Sequence, residues 1–105
     1  MSTAYKCIIY KEAEHDVESI VYYMSERLKN PAASERFVAA FEKNLEAIRN
    51  FPYLGRTSEF FSDGKIVRIK SFETYRIFYI ICYDRQEISI LRVLKDKQDW
   101  KWNIR

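Results

Sequence analysis

Residues 75–94 read YRIFYIICY-DRQE-ISILRVL, two runs of β-branched and aromatic residues around the polar connection Asp84, Arg85, Gln86 and Glu87. Val, Ile, Tyr and Phe suit a pleated, half-buried surface, and four polar residues between two such runs suit a turn. The stretch therefore predicts a long antiparallel hairpin near the middle of a sheet. On its first strand Arg76, Phe78, Ile80 and Cys82 share one face, while Tyr75, Ile77, Tyr79, Ile81 and Tyr83 share the other. Both faces are largely apolar and are expected to be covered at least in part. On the second strand, alternation places Arg92 with Ile88, Ile90 and Leu94. A charge in an apolar strand is costly unless it pairs or reaches water, which makes Arg76 and Arg92 candidate site residues. Aliphatic stems packed on the sheet with their heads in solvent explain both arginines equally well.

Moving toward the N-terminus, Lys65–Lys70 (KIVRIK) alternates as a strand, with Ile66, Arg68 and Lys70 on one side and Val67 and Ile69 on the other. Ser71–Thr74 connects it to the central hairpin. Phe51–Gly64 reads as a loop with aromatic anchors, FPYLGR and then EFF, closing on an Asp63-Gly64 turn signal. Before it, Asn30-Pro31 marks a helix start. Asn is a good N-cap, and proline loses nothing at the first helical position, where its missing N–H would be unpaired anyway. The helix runs from Pro31 to about Asn50 with Phe37, Ala40, Phe41, Asn44/Leu45 and Ile48 on its apolar face, and Pro52 stops it near Phe51. Ala13, Val17, Ile20, Val21, Met24 and Leu28 form the stripe of an earlier helix over Lys11–Leu28, with Glu12, Glu14 and Asp16 suiting its N-terminal dipole. The short joint makes the two helices an antiparallel hairpin. Ala4–Tyr10 is a short strand candidate. After Leu94 the tail KDKQDWKWNIR carries Trp100 and Trp102, to pack back on the body or to stay exposed for a partner. The order is β-α-α-β-β-β. It predicts an α+β fold in one domain over residues 1–105, an antiparallel helical hairpin packed on a small, mainly antiparallel sheet.

Composition narrows the function classes. At 105 residues, 48% hydrophobic and 16% aromatic, the chain can bury a modest core and is not a disordered segment. No apolar run approaches the ~18 residues of a membrane span, and no signal-peptide core stands at the start, so a cytoplasmic protein is expected. Cys7 and Cys82 read as small buried hydrophobes in a reducing compartment. With only His15 besides, itself off the helical stripe, zinc would have too few ligands, and neither metal nor cofactor is called for. The net charge of +3 is unevenly spread. Residues 1–64 carry eight lysines and arginines against ten acids, and residues 65–105 carry ten against five. A basic C-terminal half suits a polyanion or an acidic partner, or simply solubility.

Several strings recur together in one family. They are Asn30-Pro31-Ala32-Ala33, Phe51-Pro52-x-x-Gly55-Arg56, Arg68 ahead of Tyr75-Arg76-Ile77-Phe78-Tyr79, and Ile90-Leu91-Arg92-Val93-Leu94 followed by Asp99-Trp100. From Ala13 to Trp100 the chain resembles the RelE/ParE toxins of bacterial type II toxin–antitoxin modules, some of which stabilise plasmids. The resemblance implies a growth inhibitor neutralised by a cognate antitoxin whose C-terminal segment wraps it. It implies one of two targets: DNA gyrase, poisoned by ParE-like members, or mRNA in the ribosomal A site, cut without metal by RelE-like members. A non-toxic scaffold of the same fold is the third possibility.

Metal-free RNA cleavage needs a group to deprotonate the 2′-OH, cations for the phosphorane, and an acid for the leaving oxygen. By resemblance Arg76 matches the arginine beneath the scissile phosphate, whereas Arg68 and Lys70 match the basic strand only with a one-residue shift. Trp100 and Trp102 stand where RelE-like members carry Tyr or His-Tyr, and indole transfers no proton at neutral pH. Lys95 replaces the family's frequent His, leaving Tyr75, Glu73 or a lysine as substitutes. The long helical hairpin also leans to the ParE-like side. Arg68, Lys70, Arg76 and Arg92 are thus candidates for catalysis or target binding, and Lys95, Lys97, Trp100 and Trp102 for target binding. The expectation is one basic cluster, with Arg76 beside Arg92, Arg68 or Lys70 nearby, and Glu73, another acid or an anion between them.

Overall fold

The computed structural model describes residues 4–96. The elements are β1 (Lys6–Ile9), α1 (Lys11–Tyr22), α2 (Pro31–Asn50), β2 (Arg56–Ser62), β3 (Lys65–Phe72), β4 (Tyr75–Cys82) and β5 (Glu87–Lys95). A π-helical turn, Tyr23–Arg27, continues α1, and a 3-10 turn, Pro52–Leu54, follows α2. The strands form one five-stranded sheet in the order β1-β5-β4-β3-β2. Only the β1–β5 pair is parallel. The α+β architecture expected above is present, with one strand added at the edge.

That strand is β2, which lies within the segment read as a loop. Its apolar side chains do not alternate cleanly, and its pairing with β3 is irregular between Thr57 and Phe61. Asp63 and Gly64 both adopt positive φ, 54° and 74°. Two left-handed residues in succession twist with flanking strands and so join a two-residue hairpin. The Asp-Gly pair was therefore evidence for a strand on each side of it, not only for a turn.

Asn30 caps α2 as expected, its side chain accepting from the Ala33 N–H at 3.1 Å, with Pro31 at the first helical position. Phe37, Phe41 and Ile48 of α2 are buried with Ala13 of α1, and Val17, Ile20, Val21 and Met24 pack against that core. Leu28, the last residue of the expected α1 stripe, is 54% exposed. The wide π turn, closed by Leu28 N–H to Tyr23 O at 2.9 Å, holds more residues per turn and rotates Leu28 off the stripe.

The helices cover one face of the sheet, where Phe72, Tyr75, Ile77, Tyr79, Ile81, Ile88, Ile90 and Val93 complete the main core. A second cluster on the other face holds Val67, Ile69, Phe78, Ile80, Leu91 and Leu94, with Phe60 packed against it. Strict alternation also fails in β5. Phe78 pairs with Arg92 but Tyr79 pairs with Ile90, so Leu91 is an extra residue in the ladder. This β-bulge moves Leu94 to the face opposite Ile88 and Ile90, and the expected grouping of Arg92 with all three is corrected accordingly.

Candidate functional site

The hairpin β4–β5 brings Arg76 and Arg92 onto neighbouring strands, as expected. Arg76 is paired with Leu94 and Arg92 with Phe78, so the two arginines are diagonal neighbours, roughly 7–8 Å apart along the backbone. Their heads do not share a site. Arg76 Nε donates to Asp96 Oδ1 at 2.8 Å, a pair with side chains 26% and 41% exposed. Arg92 donates to both carboxylate oxygens of Asp16 on α1, at 2.7 and 2.9 Å, and that pair is more deeply set. The Asp16 hydrogen bond is the largest cause holding the Arg92 guanidinium above its ordinary pKa, against the opposing effect of burial. The acids expected between like charges are present, but each arginine has its own. In the sequence Asp16 reads only as an acid in the first turns of a helix and Asp96 only as part of the tail, and tertiary position alone makes them the partners of Arg92 and Arg76.

Arg68 and Lys70 lie elsewhere. Arg68 pairs in register with Tyr79 and Lys70 with Ile77, whereas Arg76 pairs with Ser71. Side chains of paired residues project to one face, and alternate residues to opposite faces. Arg76 therefore shares its face with Val67, Ile69 and Ser71 of β3, and Arg68 and Lys70 project to the helix-bearing face. A one-residue offset in β3 separates cations that the expected cluster would have joined. Lys70 Nζ donates to Ser71 O at 3.0 Å, at the surface. Arg68 Nη1 donates to Gly55 O at 2.7 Å, and its guanidinium sits 5.0 Å from the centre of the Tyr53 ring.

Those contacts explain the FPYLGR string. The Tyr79 hydroxyl donates to Pro52 O at 2.6 Å and accepts from the Gly55 N–H at 2.8 Å. A Cβ on Gly55 would meet that hydroxyl oxygen at 2.6 Å and the Ile69 carbonyl at 3.0 Å, so close approach, not backbone freedom, calls for glycine here. Burial pushes the Tyr79 phenol above the usual tyrosine range, more than its Gly55 hydrogen bond and Arg68 pull it down. Tyr75, a candidate proton-transfer group, is buried with its ring centre 4.9 Å from that of Phe37. Burial, then the charge of Glu73, raise its pKa too. A buried, raised phenol is a poor base. His15 is exposed, as expected.

β1 pairs with β5 only as far as Ile90, and beyond it α1 lies along β5. There the Val93 N–H donates to Asp16 Oδ2 at 2.9 Å. Between this edge and the π turn runs a groove of about 380 Å³ with walls of Ile20, Tyr23, Met24, Leu28, Val93 and Leu94. Lys95, exposed, stands on its rim. Lys97, Trp100 and Trp102 lie outside the described residues. Among the described residues no three His, Cys, Asp or Glu side chains gather to hold a metal ion. Among them, too, no helix is long and apolar enough to cross a membrane.

Residues 8–100 match the sequence profile of the ParE toxins of type II toxin–antitoxin systems, parDE. The chain belongs to the ParE toxin family. Solved structures share its fold. A ParDE toxin–antitoxin system from P. aeruginosa superposes with a TM-score of 0.67 at 17% identity, over 88% of this chain and 96% of that one. A RelBE toxin–antitoxin complex from Mycobacterium tuberculosis gives 0.61 at 20% identity, over 89% and 99%. The archaeal RelE–RelB complex from Pyrococcus horikoshii OT3 gives 0.56 at 18%, over 91% and 99%. At these identities the likeness is one of fold. No curated protein matches the chain.

Proposed function

We propose that this ParE-family toxin inhibits growth in the cytoplasm by binding a protein target, DNA gyrase, and not by cutting ribosome-bound mRNA. The observation that carries the reading is the face of the sheet on which Arg76 lies. Its neighbours there on β3 are Val67, Ile69 and Ser71, while Arg68 and Lys70 project to the other face. Phosphorane stabilisation needs several cations aimed at one point, and general acid–base chemistry needs a titratable group within hydrogen-bond reach of it. Val67 and Ile69 supply neither. The shift of one residue that weakens the RelE-like match in sequence becomes, in the sheet, a change of face.

The groove between α1 and β5 suits the cognate antitoxin. Its apolar walls take the anchors of an amphipathic segment, and Lys95 at its rim takes a carboxylate. The RelBE structure from Mycobacterium tuberculosis and the RelE–RelB structure from Pyrococcus horikoshii OT3 are themselves toxin–antitoxin complexes.

Induced expression in a bacterial host, with parallel readouts of the DNA-damage response and of mRNA cleavage at translated codons, tests the target. Induction of the damage response with intact mRNA is expected. Cleavage at codons without DNA damage would return the nuclease reading, and unimpaired growth would leave a non-toxic scaffold. The antitoxin is tested by co-expressing the neighbouring reading frame, which is expected to restore growth and to co-purify with the toxin.

A further inference from the structure

The end of the sheet formed by the β2–β3 and β4–β5 turns carries a second surface, apart from the antitoxin groove. A depression of about 430 Å³ opens there, lined by Phe61, Lys65, Ile66, Arg68, Ile81 and Tyr83. That volume is in the range of pockets that hold a small ligand or a few side chains. Its aromatic walls are open to solvent. Phe61 is 63% exposed and Tyr83 51%, and Tyr83 stacks on the exposed Tyr53 with ring centres 6.0 Å apart.

Among the charged residues lining this depression, Arg68 is set apart by its contacts. Its Nη1 is taken by the Gly55 carbonyl and its plane lies by Tyr53, but its Nε is buried with no hydrogen-bond partner. Arg49, Arg76, Arg85 and Arg92 each pair with a carboxylate. Half-buried Arg68 has no such pair among the described residues. A guanidinium offers five donors in a rigid fork, and leaving them unused away from water is costly. Lys65 is already met by Asp63 at 3.8 Å, and Asp84 stands on the lining. The surroundings thus accept one added anionic group and oppose a row of them.

We propose that this depression docks a peptide segment of a partner protein, one that presents a carboxylate beside an aromatic or aliphatic side chain. The carboxylate meets the Arg68 guanidinium from the depression, and the apolar side chain lies between Phe61 and Tyr83. Exposed aromatic residues around an arginine are the composition of interface centres. Single-stranded nucleic acid would use the same rings for stacking, but it needs a cationic track for successive phosphates, and Asp63 and Asp84 interrupt one. The proposal stands on this geometry alone and does not depend on what the toxin inhibits.

Amide NMR of the full-length, isotope-labelled chain tests it directly, with three probes. One is a capped tripeptide of phenylalanine, aspartate and phenylalanine, the second is the same peptide with asparagine at the centre, and the third is hexauridylate. The aspartate peptide is expected to shift the amides of Phe61, Arg68 and Tyr83. It should bind about tenfold more tightly than the asparagine peptide, the change that follows loss of one partly exposed charge-assisted hydrogen bond. Arg68→Gln should abolish that preference. Because Arg68 also holds the Gly55 carbonyl, Phe61→Ala and Tyr83→Ala serve as surface variants, expected to keep the parent Tm and to lose most of the affinity. Equal affinity for the two peptides, no binding of either, shifts that avoid these residues, or displacement of peptide by hexauridylate would each overturn the proposal.

Discussion

Asp16 accepts the Arg92 guanidinium in two hydrogen bonds of 2.7 and 2.9 Å and the Val93 N–H in a third of 2.9 Å. One carboxylate from α1 thereby satisfies β5 just past the point where β1 stops pairing. The two side chains are 20% and 12% exposed, so removing one partner strands a charge in a largely desolvated place. Asp16→Ala is expected to destabilise the fold toward the lower end of the roughly 3–5 kcal/mol seen when buried pairs are broken. Urea unfolding measures it. A loss below about 1 kcal/mol would mean the pair behaves as a surface pair.

Arg76 gives the opposite expectation. Its pair with Asp96 is partly exposed, and such pairs contribute about 0–1 kcal/mol. Arg76→Ala should therefore unfold within about 1 kcal/mol of the parent yet lose growth inhibition, if Arg76 touches the target. A folded variant that remains fully toxic would move the search to Lys95 and to the tail residues Lys97, Trp100 and Trp102.

The Tyr79–Gly55 contact makes a coupled pair. Gly55→Ala drives a methyl into the Tyr79 ring and hydroxyl, an overpacking that costs about 1–3 kcal/mol. Tyr79→Phe leaves the Pro52 carbonyl and Gly55 N–H without their shared partner, for about 1–3 kcal/mol. In the double variant the removed hydroxyl relieves part of the clash, so the combined loss should fall short of the sum. A double-mutant cycle by thermal unfolding reads the coupling, and strict additivity would contradict the geometry.

The same residue sets an alkaline limit. Tyr79 ionises at higher pH in the folded chain than unfolded, so folding favours its neutral form. Its contribution is complete below about pH 10, where the unfolded tyrosine begins to ionise, and is lost as pH rises through the folded pKa. Tyr75 acts in the same direction. Unfolding free energy measured from pH 8 to 11 should stay level for these groups and then fall, and the fall should be shallower in Tyr79→Phe.

Phe41 and Ile80 test the two faces of the sheet separately, since Phe41 belongs to the helix-side core and Ile80 to the opposite cluster. Each alanine variant should lose about 2–5 kcal/mol, the range for large-to-small changes in a packed core. Toxicity should fall with the folded population. A Tm within a degree or two of the parent would show that the face concerned is not packed as described.

What this chain's sequence determined on its own is what local chemistry controls. Asn30 and Pro31 start a helix because a side-chain acceptor and a missing N–H suit its first turn. Phe37, Phe41 and Ile48 repeat at helical spacing and are buried together. The alternation of Tyr75–Cys82 set the two faces of β4 before any neighbour was known. The ordered strings around Gly55, Arg76 and Arg92 were enough to point to the RelE/ParE toxins. The tertiary structure decided the rest. β2 has weak periodicity and becomes a strand by pairing with β3, although Asp63-Gly64 hinted at it. The extra residue at Leu91 and the offset of β3 against β4 decide which cations share a face, and register is a property of two strands. Asp16 and Arg92 are 76 residues apart, and only the packing of α1 along β5 makes them partners. A charged residue's role depends on which acid, ring or open depression lies within a few ångströms, and that distance exists only once the chain has folded.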